Sequence, residues 1–262
     1  MRFRRPRSKA PVPAAAPADL GAATALGRRA ENQDRWFVGP GLALVSDGMG
    51  GHRGGALAAE LTVAAVAAAL DGRAPGGARS TTDLLDAFDR ANAAVRAVRD
   101  EQVEVAEMGA TLTVALLTDT APERSRWSIA HVGDSPAFHV SADATTVLTA
   151  DHTPAAELVA LGVLTEAQAA GHPTRHQLLR AIGPDPILEV DLAEVDLVAG
   201  DALVLASDGL SGTIAADEIG AIVRSAASAA TAAEALVEAA VAGGASDNVT
   251  AVVVRQVPSS AR

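Results

Sequence analysis

The chain predicts an α+β fold: a sandwich of antiparallel β-strands with a pair of helices on each face. Three observations lead there. Short apolar runs stopped by turn residues mark buried strands, as at 42–46, 202–206 and 249–254. Helical periodicity comes in two blocks, one before and one after the main group of strands. From Gly109 onward the apolar period falls to two, so strands follow strands. That order argues against a strictly alternating parallel sheet.

The elements follow from local signals. Residues 42–46 form the first strong strand, and the glycine-rich turn 48–55 leads into an alanine-rich helix over 56–70 that Gly72 stops. A second helix begins near Thr82 and carries Leu84, Leu85, Phe88, Ala91, Val95 and Val98 on one face, which suits packing on the first. Residues 110–117 and 127–132 read as antiparallel neighbours across a polar turn, and 137–140 with 145–148 as a further hairpin. A polar, alanine-rich insertion over 153–176, with short helical patterns at 155–161 and 165–169, reads as a surface lobe. Strands at 187–195 and 202–206, helices at 217–226 and 232–241, and a strand at 249–254 complete the pattern.

Composition narrows the function. A chain of 262 residues can bury a large core, and nothing in it forces two domains. Alanine is abundant and tyrosine absent, so small aliphatic side chains build the core and bring helices close. The net charge is −11, although Arg2, Arg4, Arg5, Arg7 and Lys9 are all basic, which leaves the remainder near −16. A surface this acidic suits nucleic acid poorly. The absence of cysteine removes disulfides and thiolate chemistry and fits a reducing compartment. The basic, Pro-Ala-rich start reads as a disordered tail without the apolar stretch of a signal peptide, its alternative role being weak contact with an anionic surface. The run 54–70 is too short and too alanine-rich for a membrane span.

The strongest local signal is repeated. Two buried-strand runs end in Ser-Asp-Gly, at Ser46-Asp47-Gly48 and Ser207-Asp208-Gly209; Asp134 follows a third run and Asp247 precedes a fourth. A single Asp-Gly commonly does no more than make a turn. Four aspartates at strand ends also suit one cluster, and two carboxylates about 4 Å apart repel by roughly 4 kcal/mol at an effective dielectric near 20. Such a cluster takes up protons or binds a hard divalent cation, which brings a Lewis acid and an activated water.

Seven phrases then occur in order: Arg29-Ala30-Glu31-Asn32-Gln33-Asp34, Val45-Ser46-Asp47-Gly48-Met49-Gly50-Gly51-His52, Gly109-Ala110-Thr111-Leu112, His131-Val132-Gly133-Asp134-Ser135, Leu148-Thr149-Ala150-Asp151-His152-Thr153, Leu205-Ala206-Ser207-Asp208-Gly209-Leu210 and Ser246-Asp247-Asn248-Val249-Thr250. Together they resemble the metal-dependent protein Ser/Thr phosphatases of the type 2C (PPM) family in their bacterial form. The resemblance spans about 27–254. It implies a four-layer α-β-β-α sandwich over 20–257 and a flap at about 153–177 that helps select substrates; the residues outside that domain, 1–19 and 258–262, read as disordered ends. It further implies hydrolysis of phosphoserine and phosphothreonine by a metal-bridging hydroxide.

By position, the resemblance makes Asp47 the carboxylate shared by two central Mn²⁺ or Mg²⁺ ions, with the Gly48 carbonyl on one and Asp208 and Asp247 completing the other. Asp134 with Asp208 corresponds to a third, weaker ion, Asp34 to a carboxylate that orients metal-bound water, and Arg29 to the phosphate fork. His52, just past the metal ligands, is the candidate proton donor to the leaving oxygen, an exposed turn histidine being the alternative. Two departures stand out: Gln33 where the family often has Glu, and Pro136 where it usually has Arg, which bears on the third ion's geometry. The expected partners are phosphoprotein substrates and Ser/Thr kinases, with no nucleic acid, for a cytoplasmic monomer. A catalytically weak phosphoprotein-binding member is a competing reading. Other phosphotransfer chemistries fit poorly, since Lys9 is the only lysine and there is no P-loop.

Overall fold

In the computed structural model, residues 18–50, 52–70, 79–121 and 123–257 are described, except the side chains of His52 and Arg53. The elements run β1 (Ala18–Ala25), β2 (Arg35–Gly39), β3 (Leu42–Ser46), β4 (Gly48–Met49), α1 (His52–Leu70), α2 (Thr81–Glu101), β5 (Gly109–Ala110), β6 (Leu112–Ala121), β7 (Arg124–Val132), β8 (Ala137–Val140) and β9 (Thr145–Val147). They continue with α3 (Pro154–Ala160), α4 (Glu166–Ala170), β10 (Asp191–Val198), β11 (Ala202–Ala206), α5 (Asp208–Ser211), α6 (Ala216–Ser225), α7 (Ala229–Ala242) and β12 (Val249–Gln256).

Two five-stranded sheets form, in the orders β10-β7-β6-β3-β2 and β1-β12-β11-β8-β9, with β4 and β5 as a separate pair. Every strand pairing is antiparallel. The sheets stack, α1 and α2 cover the first, and α5, α6 and α7 cover the second. The expected four-layer α-β-β-α sandwich is present.

Strand alternation builds three apolar layers from two sheets. On β3, Leu42 and Leu44 face α1 and α2, while Ala43 and Val45 face the other sheet. On β11, Ala202, Val204 and Ala206 face α6 and α7, while Leu203 and Leu205 point between the sheets. Because both faces of these central strands are covered, they read as continuous apolar runs despite being antiparallel. Trp127 fills the inter-sheet layer, its Nε1–H donating to Ser125 Oγ at 2.9 Å.

Helix α2 starts at a capping box in which Ser80 and Asp83 satisfy each other's backbone N–H. It buries Leu84, Phe88, Ala91 and Val95 as its pattern predicts. Truncating a fully buried leucine such as Leu84 to alanine costs about 2–5 kcal/mol. Among the described residues, no helix is long and apolar enough to cross a membrane.

Four differences from the sequence reading stand out. α1 starts at His52 rather than at 56, so half of the glycine-rich turn is helical. The strand expected over 110–117 divides at Thr111 into β5 and β6, because Ala110 pairs with Gly48 and Ile182 instead. The strand expected over 187–195 lies at Asp191–Val198, where Ala193, Val195 and Leu197 alternate into the inter-sheet layer while Ile187 is 82% exposed. Ala18 and Asp19, assigned to the tail, open β1, and the rest of that tail and the end at 258–262 lie outside the described residues.

Candidate metal centre

The first Ser-Asp-Gly continues from β3 into β4. Its position is set by Thr111: Asp47 N–H donates to Thr111 Oγ1 at 2.9 Å, Thr111 N–H donates to Asp47 O at 2.8 Å, and Ser46 Oγ donates to Thr111 O at 2.7 Å. Gly48 is required by crowding, since a Cβ there would lie 2.0 Å from the Gly55 carbonyl oxygen. The glycine-rich turn thus lets the first turn of α1 close directly onto the backbone that follows Asp47.

The second Ser-Asp-Gly leaves β11 and opens α5. Ser207 and Thr250 exchange bonds, Thr250 N–H to Ser207 Oγ at 2.9 Å and Ser207 N–H to Thr250 O at 3.1 Å. A Cβ on Gly209 would lie 2.0 Å from the Asn248 carbonyl oxygen. That close approach brings Asp208 beside the turn that carries Asp247. Asn248 then pins the loop before β2: its Oδ1 accepts Gln33 N–H at 2.8 Å, and its Nδ2 donates to Leu26 O at 3.1 Å and Glu31 O at 2.9 Å. This loop holds Arg29 and Asp34.

The result is one carboxylate cluster. Burial pushes Asp47 well above the usual carboxylate range, and the charges of Asp34, Asp208, Asp134 and Asp247 push it further. Asp34, 3% exposed, is raised to about 6 by burial, opposed by hydrogen bonds from Thr250 and Ser207, with Asp208 and Asp247 adding to the rise. Asp134 is raised to about 7 by burial and by Asp208 and Asp151. Thr250 Oγ1 donates to Asp34 Oδ2 at 2.6 Å, whereas Asp34 Oδ1 and Asp208 Oδ1 are buried without a partner. A buried acceptor left unmatched is costly. An oxygen-lined group of negative charges with open acceptors fits hard divalent cations.

The structure brings Asp34, Asp47, Asp134, Asp208 and Asp247 together, with Gly48 adjacent. Arg29 also arrives, its Nη2 donating to Asp247 Oδ2 at 2.6 Å from a half-exposed position at the rim. His52 opens α1, but its side chain lies outside the described residues. Pro136 is built into the sheet: its carbonyl accepts Ala206 N–H at 3.0 Å and β8, which follows it, pairs with β11 in register, while Asp134 feels the charge of Asp208.

Two groups escaped the sequence reading. Asp151 is exposed as a residue, yet its carboxyl is desolvated and lies near Asp208, which together raise it to about 6. His176 reaches in from the end of the flap, its Nδ1 3.3 Å from Asp208 Oδ2, and this contact raises its pKa. Asp134, His176 and Asp208 each place a ligand atom within 4.8 Å of the others. Asp151 stood in a recognised phrase without a role; nothing local to His176 signals its approach, which depends on how the flap folds back.

Comparison with known proteins places the chain among protein phosphatases. A family model described as protein phosphatase 2C matches residues 23–246. The serine/threonine protein phosphatase PstP of Mycobacterium tuberculosis is 36% identical over 229 residues, covering 86% of this chain and 42% of that protein, so the chain spans less than half of that relative. The serine/threonine phosphatase stp of Listeria innocua is 30% identical over 236 residues, covering 86% of this chain and 87% of that protein. The crystal structure of the mycobacterial PstP/Ppp superposes with a TM-score of 0.83 at 33% identity, covering 92% of this chain and 99% of that one. The catalytic domain of PstP in complex with two manganese ions gives 0.81 at 33% identity, covering 92% and 98%.

Proposed function

The chain belongs to the protein phosphatase 2C family, and from that premise we propose that it is a metal-dependent phosphoprotein phosphatase acting on phosphoserine and phosphothreonine. The observation that carries the reading is the set of five aspartates gathered at the sandwich end with two buried, unpartnered carboxylate oxygens.

Asp47, the Gly48 carbonyl, Asp208 and Asp247 would hold two Mn²⁺ or Mg²⁺ ions, and Asp134 with Asp208 a third; the mycobacterial relative's two manganese ions support this choice of group. When bound, the ions supply an activated water and neutralise charge on the phosphoryl oxygens. The chain's own residues do the rest. Asp34, with Oδ2 held by Thr250, keeps Oδ1 as an acceptor to orient that water. Arg29 binds the phosphate as a planar fork. Because its present partner Asp247 is also a proposed ligand, cation binding would release the guanidinium for substrate. His52 holds the proton for the departing serine or threonine oxygen.

On this reading the protein opposes Ser/Thr kinases in signalling, acts as a cytoplasmic monomer, and meets its phosphoprotein substrates through the flap. A chain without cysteine suits a reducing compartment. The test is phosphate release from a phosphothreonine peptide with Mn²⁺, with EDTA, and with Asp208→Asn in Mn²⁺. Release only by the wild type with metal is expected. A folded wild type that binds Mn²⁺ yet releases nothing from several phosphopeptides overturns the reading in favour of a phosphoprotein-binding role.

A further inference from the structure

Downstream of the flap, residues 183–185 are held by side chains of α2. Asn92 is 4% exposed in the middle of that helix. Its Oδ1 accepts Gly183 N–H at 2.7 Å and its Nδ2 donates to Asp185 O at 2.8 Å. One amide thus pairs with a backbone donor and a backbone acceptor two residues apart and closes the turn between them. Arg99 Nη1 donates to Gly183 O at 3.1 Å and Pro184 O at 2.9 Å, and Arg96 Nη1 adds a bond to Pro184 O at 3.1 Å. Gly183 has φ +109°, and a Cβ there would lie 2.7 Å from Val95 Cγ1, so both its conformation and the available space demand glycine.

The clamped segment begins where the flap ends. Ile182 exchanges two backbone bonds with Ala110, and Leu179 N–H donates to His152 O at 2.8 Å, tying the far side of the flap to its near side. Arg180 donates to Asp191 Oδ1 at 2.8 Å, while His152 Nε2 lies 3.2 Å from Asp191 Oδ2. Between these fixed ends stand α3 and α4, and His176, which reaches Asp208.

We propose that Asn92, assisted by Arg99, is a positioning residue that sets the C-terminal base of the flap and thereby governs activity on phosphoproteins. This rests on the phosphatase reading above. Asn92 touches no reacting group. It acts through Gly183 and Asp185, and its amide is needed as both donor and acceptor: an aspartate would keep the acceptor for Gly183 N–H and place a second acceptor against Asp185 O. On this proposal a small aryl phosphate enters the cluster without leaning on the flap, whereas a phosphoprotein chain docks against it, so loosening the base acts on the second class.

The experiment compares Asn92→Ala, Asn92→Asp and Gly183→Ala with Leu84→Ala, a buried truncation on the same helix away from the clamp. Amide hydrogen exchange over 179–185, kcat/KM on phosphorylated casein, and kcat/KM on p-nitrophenyl phosphate are measured with Mn²⁺. The clamp variants should exchange faster over 179–185 and lose about tenfold on casein but less than about twofold on the aryl phosphate, with Asn92→Asp intermediate. Leu84→Ala, matched by lost thermal stability, should change neither the exchange there nor the substrate ratio. Equal losses on both substrates, or the same ratio change in Leu84→Ala, overturn the proposal. An inactive wild type would instead count against the phosphatase reading, while the exchange result would still report on the clamp.

Discussion

The same tripeptide stands at two corners of the carboxylate cluster and is used in two ways. At Ser46-Asp47-Gly48 the chain continues as a strand, its backbone locked to Thr111; at Ser207-Asp208-Gly209 it turns into the short helix α5. Both aspartates are partly exposed; Asp47 takes the charges of Asp34, Asp208, Asp134 and Asp247, whereas Asp208 also meets the flap through His176. What the corners share is the glycine, packed 2.0 Å (as a hypothetical Cβ) from a backbone oxygen of another segment. The motif therefore encodes a close approach of two backbones that delivers a carboxylate, and leaves the following secondary structure to the residues beyond it.

The largest expected effect breaks the chemistry at either corner. Asp47→Asn and Asp208→Asn should each reduce Mn²⁺-dependent phosphate release by more than about a hundredfold. The corners should part company in the metal-free protein, where Asp47→Asn relieves repulsion from four aspartates and raises the unfolding midpoint more than Asp208→Asn, which also gives up the His176 contact. Chemical denaturation with EDTA measures this, and equal shifts would remove the distinction between the corners.

Next come the glycines. Gly48→Ala and Gly209→Ala should each cost about 3 kcal/mol or more, because backbone rather than a mobile side chain must move. Gly171→Ala, with nothing nearer than 3.9 Å and φ −96°, should change stability by less than about 0.5 kcal/mol. Thermal melts of all three decide whether the shared close approach matters.

A smaller effect sharpens the asymmetry. Thr111, which holds Asp47, is bonded to Ser135 Oγ at 2.6 Å; Thr113 donates to Ser135 O at 2.5 Å and bonds to His131 Nδ1 at 2.8 Å. Burial, with His152 nearby, lowers His131 from 6.5 to about 4. Between these values the unfolded chain binds a proton that the folded chain does not, so stability falls as pH drops from about 6.5 toward 4 and is unaffected above. At pH 5 the loss amounts to about 2 kcal/mol. Metal-free His131→Asn should show a correspondingly shallower fall, and parallel curves for variant and wild type would exclude His131 as the cause.

Much of this site was legible because its signals are local. Covered central strands print apolar runs, strand tips print Ser-Asp-Gly, and α2 prints its buried face. β1 was not legible: Ala18-Asp19-Leu20-Gly21-Ala22-Ala23-Thr24-Ala25 has weak strand propensity, and partners make it a strand. It pairs along its length with β12, Asp19 Oδ2 accepts Ala229 N–H at 2.6 Å at the start of α7, and a Cβ on Gly21 would lie 2.3 Å from the Ala230 nitrogen. The strand expected over 187–195 slipped for a related reason, since register with β7 favours the alternation from Ala193 to Leu197 over the richer apolar content before it. His176 joins the cluster only through folding of the flap, a property of distant contacts, whereas Asp151 stood in a recognised phrase just before the flap without a role assigned to it.

The pairing of β1 with β12 also orders events during synthesis. Thr24 and Thr250, hydrogen-bonded at 2.8 Å across that pair, are 226 positions apart. The loop carrying Arg29 and Asp34 is fixed by Asn248 and Thr250, which belong to or adjoin the same late strand. The first sheet takes most of its strands from earlier in the chain and can form while translation continues, but the second waits for β12, a long-range closure that is intrinsically slow. A ribosome-bound chain that has not reached β12 has neither the finished sheet nor the assembled carboxylates, so the proposed catalytic site comes into being only when that strand docks.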